Sequence, residues 1–152
     1  MIMTELKAKL RTDLTAAMKG RDELVTATLR MALTAVGTEE VAGKEARELS
    51  DAEVVQVLTR EAKKRREAAE AFENGGRPEQ AAREKAEGEV LARYLPAQLS
   101  DEELTALVAQ AIAETGAEGP KGMGLVMKAL NPKVAGRAEG GRVAAAVKSA
   151  LA

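Results

Sequence analysis

The sequence has 152 residues, a formal net charge of −1 and 45% apolar residues, enough to bury a core in one domain or two small ones. Phe72 and Tyr94 are its only aromatic residues, so Ala, Leu, Val and Met must carry the packing, and all of these except Val are strong helix formers. With no Cys and no His, disulfides, thiolate metal sites and thiol nucleophiles are excluded, and the usual general base and metal ligand of neutral pH is missing.

Dense Ala, Glu, Lys, Arg and Leu favour long helices, and no stretch alternates apolar and polar residues as a half-buried strand does. An all-α fold is expected. The stretch Met1–Arg11 is charged and amphipathic, without the apolar core of a signal peptide, and no apolar run reaches the length of a membrane span. A cytoplasmic protein with no membrane partner is the resulting expectation.

In chain order, the first helix should run from an N-cap at Thr4 to Lys19, with Leu6, Leu10, Leu14 and Met18 as its apolar row and Gly20 past its end. Asp22 should cap the second, which turns Leu24, Thr28, Met31 and Ala35 inward, widened by Leu29, Leu33 and Val36, and extends to about Val41. The third has the clearest start, a capping box at Ser50-Asp51-Ala52-Glu53, and should reach Asn74 with Val54, Val55, Leu58, Ala62, Ala69 and Phe72 inward. Asn74-Gly75-Gly76-Arg77-Pro78 is a turn, and Pro78 suits the first turn of a fourth helix with Ala82, Ala86, Val90, Leu91 and Tyr94 inward. The third and fourth helices should form a long antiparallel hairpin.

Pro96 ends that hairpin and divides an N-terminal helical domain, 1–95, from a C-terminal domain, 96–152. A second capping box, Ser100-Asp101-Glu102-Glu103, restarts the chain into a fifth helix with Leu104, Val108, Ala111 and Ile112 buried and Gly116 as its stop. A short helix over about Met123–Leu130 should break at Asn131-Pro132, and a last one should span Glu139–Leu151 with Val143, Val147 and Leu151 on one face. The C-terminal domain is therefore expected to hold three helices, a marginal core by itself.

Charge is unevenly spread. Residues 96–119 carry no basic and five acidic residues, whereas residues 120–152 carry six basic and one acidic. The six, Lys121, Lys128, Lys133, Arg137, Arg142 and Lys148, have only Glu139 among them and are the candidate nucleic-acid contacts. Without aromatics nearby, stacking on single strands is disfavoured, and structured RNA read through its backbone is the better target. Gly122 and Gly124 precede or open a helix and are candidates for letting the backbone approach a phosphate, although no Gly-Lys-Ser/Thr triplet closes a P-loop.

The run Lys63-Lys64-Arg65-Arg66 reads differently, because Glu61, Glu67 and Glu70 stand four residues from Arg65, Lys63 and Arg66 and should pair with them on a solvated face. Of the serines, Ser50 and Ser100 serve as caps, and Ser149 has no recognisable base. No catalytic residue, metal ligand or cofactor is assigned.

The pattern Met123-Gly124-Leu125-Val126-Met127-Lys128-Ala129-Leu130, then Pro132-Lys133, then Gly136-Arg137-Ala138-Glu139-Gly140, Val143 and Val147-Lys148, resembles the tail signature of the YqeY-like family. Leu29-Arg30, Glu39-Glu40-Val41 and Tyr94-Leu95-Pro96-Ala97-Gln98-Leu99-Ser100 fit the same family, so the resemblance covers nearly the whole chain. Glu139 departs from it, standing where the family usually has Asp, a better N-cap. The resemblance implies two helical domains and a tail of the GatB/YqeY type, shared with the B subunit of the glutamyl/aspartyl-tRNA amidotransferase. From it follow the expectations of a tRNA-binding accessory related to glutamine-dependent carbon–nitrogen ligases, with no complete active site of its own, or else of a helical adaptor for a protein partner.

Overall fold

Local signals start the helices and non-local burial decides their faces. The computed structural model describes residues 4–152, so Met1–Met3, the start of the charged N-terminal stretch, lie outside it. Seven α-helices and no strand occur among the described residues: α1 (Glu5–Lys19), α2 (Glu23–Glu40), α3 (Asp51–Asn74), α4 (Pro78–Ala92), α5 (Asp101–Thr115), α6 (Met123–Val134) and α7 (Gly140–Leu151). They fall into two compact units, Met1–Leu95 and Pro96–Ala152. Among the described residues no helix is long and apolar enough to cross a membrane.

In the first unit, Asp22 caps α2 by accepting from the Val25 N–H, and Ser50 and Glu53 form the full capping box of α3. Thr4 precedes α1 but makes no cap bond. Its hydroxyl is buried without a partner, and the carboxylate of Asp51, from the first turn of α3, accepts from the Leu6 N–H at 3.1 Å. One helix thus supplies the cap of another.

Leu10, Leu29, Val36, Leu49, Val54, Leu58 and Leu91 are fully buried in a single cluster, each apolar side chain contributing about 1.5–3 kcal/mol. Met18, expected inward, is 49% exposed, and Ala17 is buried instead. A four-residue spacing drifts by about 40° per step on a helix of about 3.6 residues per turn, which carries the end of the row away from Leu10. On the inner face of α3, Val57 and Glu61 are buried while Val55 is only partly covered. On α4, Ala81 is buried and Ala82 exposed. α3 and α4 lie side by side: Arg65 on α3 is 3.3 Å from Glu84 on α4, Glu73 pairs with Lys85, and the bare Cα of Gly88 faces the Arg65 side chain.

The second unit has its own aliphatic cluster, with Leu104, Val108, Val126, Leu130, Val143 and Val147 at its centre. α6 does not stop at Leu130. Pro132 lies inside the helix, which runs on to Val134. The proline forfeits one ladder hydrogen bond, but the added turn buries Val134 in the cluster and is closed by the Ala135 N–H on the Asn131 carbonyl at 3.0 Å.

Candidate nucleic-acid interface

The six tail cations are positioned by α5, α6, α7 and the turns between them. The Ser100–Glu103 capping box sets the start of α5, and Gly116, at φ 69°, ends it in the left-handed conformation. A short 3₁₀ turn, Pro120–Gly122, then leads into α6. A Cβ on Gly122 would lie 2.6 Å from the Ala117 side chain, so this glycine is filled from behind by the chain itself. Gly124 is exposed, and a Cβ there would meet nothing. The two glycines proposed for phosphate approach therefore differ: packing accounts for Gly122, and only Gly124 faces open space.

Lys121, in the 3₁₀ turn, and Lys128, in the middle of α6, are exposed and have no carboxylate partner among the described residues. They are seven residues apart, Lys121 ahead of the first turn of α6 and Lys128 in its second. Lys148 is likewise exposed and unpaired in the last turn of α7, where a cation suits the helix dipole. The other three are engaged. Lys133 Nζ stands 3.6 Å from Glu114 of α5, and Arg142 is 2.7 Å from Asp101 in the first turn of α5. Arg137 bonds backbone: its Nε donates to the Ala97 carbonyl at 3.3 Å, while its own carbonyl accepts from the Leu99 N–H at 2.8 Å.

The expectation that all six lack acidic neighbours is thus corrected for Lys133 and Arg142. Asp101 and Glu114 fold back onto bases of residues 120–152, in a unit that carries six acidic and six basic residues in all. Glu103 shows the same proximity. Its carboxyl is held below the usual range, first by the Ser100 N–H, then by the Ser100 hydroxyl, with Arg137 adding attraction. At the start of α7, Glu139 makes no side-chain cap bond, in line with the weaker capping expected of Glu in place of Asp.

In the first unit the run Lys63–Arg66 is mostly solvated, as expected, and its pairing differs only in part. Lys63 reaches Glu67 at 3.8 Å, while Glu61 pairs with Lys64 at 3.1 Å rather than with Arg65, which crosses to Glu84. Glu61 is not a solvated charge, since only 8% of the residue is exposed. Among the described residues no three acidic side chains converge as a metal site would require.

An all-α chain of two units, the second a three-helix tail presenting exposed lysines, is the class of protein these features define. A family model described as Yqey-like protein matches residues 7–151, and the chain belongs to that family. No curated protein matches the chain.

Proposed function

We propose that the protein is an RNA-binding accessory factor of tRNA metabolism, related to tRNA-dependent amidotransferases, and that it works in the cytoplasm. In this reading residues 1–95 form a helical domain built on the antiparallel α3–α4 hairpin, and residues 96–152 form the RNA-contacting tail. The observation that carries it is the pair Lys121, in the turn that leads into α6, and Lys128, on α6, both exposed and without carboxylate partners among the described residues. An unneutralised ammonium on a helix face is free to displace counterions from a phosphate backbone.

The six cations divide into roles. Lys121, Lys128 and Lys148 make phosphate contacts. Lys133, Arg137 and Arg142 mainly hold the tail together, and those already paired with acids add little net field. Filter binding of tRNA across a salt series tests this. Alanine at Lys121, Lys128 and Lys148 together should weaken binding and lower the salt slope by about three, roughly one per lost phosphate contact. Alanine at Lys133 and Arg142 together should change binding much less. Unchanged binding in the first triple variant removes the assignment. An adaptor role is the second reading, favoured by the 53% exposure of Leu125 between the same lysines; it predicts a protein partner retained after nuclease treatment.

A further inference from the structure

The first unit contains a cleft of about 560 Å³ between one face of α1, the start of α2 and the end of α4. Its size is that of a small-molecule site. Two acids and two bases line it: Lys9 and Asp13 from α1, Asp22 at the start of α2, and Arg93 just past α4. None of the four forms an ion pair among the described residues, although exposed charges elsewhere do, Arg83 with Glu23 and Arg142 with Asp101, each at 2.7 Å.

Each cleft acid is fixed through one oxygen. Asp13 Oδ2 accepts from the Tyr94 hydroxyl at 2.6 Å, and Asp22 Oδ1 accepts from the Val25 N–H at 3.1 Å. A second oxygen remains on each. The Lys9 ammonium sits 5.4 Å from the centre of the Tyr94 ring, a cation–π contact that holds it over the cleft without neutralising it. Arg93 is exposed. The floor between them is made of Ala16 and Ala17 from α1 and Gly20 just past its end, which lets a ligand lie close to the helix.

We propose that this cleft binds a small zwitterion, an amino acid or short peptide with free ammonium and carboxylate ends. The carboxylate faces Arg93 and Lys9, and the ammonium faces the open oxygens of Asp13 and Asp22. A simple anion would meet two carboxylates and a simple cation two bases; only a molecule carrying both charges satisfies both pairs. The proposal concerns the first unit alone and is independent of RNA binding by the tail.

Tyr94 and Phe72 are the only aromatic residues, so proton NMR of the full chain in D₂O isolates the Tyr94 ring as a reporter inside the cleft, with Phe72 outside it as a control. L-leucine, leucinamide and N-acetyl-leucine share one body and carry both charges, the cation only and the anion only; alanyl-leucine extends the body. Leucine or alanyl-leucine should shift the Tyr94 resonances saturably, with Phe72 unmoved, and bind about fivefold or more tighter than either single-charge probe. Arg93→Gln and Lys9→Gln, both exposed positions, should erase the preference over leucinamide while leaving the fold intact. Absence of a saturable Tyr94 shift with both zwitterions overturns the proposal, as does equal binding of the three leucine probes.

Discussion

In the unit Met1–Leu95 charge is part of the interior. Lys7 is 7% exposed, and its ammonium lies 2.8 Å from Glu40 and 3.4 Å from Glu48, while Glu40 also accepts from the Leu49 N–H. In the unit Pro96–Ala152 the buried residues are all aliphatic, and the ion pairs Lys133–Glu114 and Arg142–Asp101 stay at the solvent boundary. Both units use the same helix-start chemistry, capping boxes at Ser50 and Ser100. The difference teaches that capping defines the helices in either unit, whereas only the first relies on electrostatics to close its core. Burial pushes the Glu40 carboxyl up, but Lys7 and the Leu49 N–H outweigh it and leave it below the ordinary range.

The sharpest way to break this contrast is to remove one cation from each unit. Lys7→Ala strands two half-buried carboxylates, Glu40 and Glu48, and should cost about 3 kcal/mol, whereas Arg142→Ala, whose partner Asp101 is almost fully exposed, should cost under about 1 kcal/mol. Urea titration with amide exchange assigns each loss to its unit, and equal costs would erase the distinction. A smaller effect tests what the units share. Ser50→Ala and Ser100→Ala should each cost about 1 kcal/mol, read in the same titration as faster exchange in the first turns of α3 and α5.

The smallest effect concerns pH. The Glu53 carboxyl is lowered to about 2, first by the Arg47 guanidinium, which bonds both its oxygens, and then by the Ser50 N–H. Glu103 has the corresponding Ser100 bonds but no such arginine fork. A carboxyl whose pKa is lowered by folding stabilises the protein above its unfolded pKa and loses that contribution as pH falls through its folded pKa. Acidification from about pH 4.5 towards 2 should therefore cost the first unit the Glu53 and Glu40 contributions. Side-chain carbonyl NMR titration of Arg47→Gln should show the Glu53 midpoint rising towards that of Glu103.

What could be read from the sequence was mostly local. The capping boxes at Ser50 and Ser100, the Asp22 cap, the end of α3 at Asn74 and the tail core of Val143, Val147 and Leu151 all depend on residues within a turn or two of one another. Helix phase was less legible where alanines stand side by side, since Ala81 and Ala82 look alike until a neighbouring helix covers one of them. Non-local pairing was not legible at all. A lysine at position 7 resembles any surface lysine, and its fate depends on carboxylates more than thirty residues away. Lys133 and Arg142 were misjudged for the same reason: their acids come from α5, earlier in the chain. The Tyr94 cleft likewise joins residues 81 apart, and the lone tyrosine was its only signal in the sequence.

Asp51 holds a further consequence. Because it receives the Leu6 N–H while opening α3, the first turn of α1 is completed by a residue the ribosome adds 45 positions later. During synthesis the Leu6 amide, in the first turn of α1, is served only by water until the third helix has emerged and turned. Removing the Asp51 carboxylate should then loosen the first turn of α1 by about 1 kcal/mol, a loss at a helix start far in sequence from the substitution.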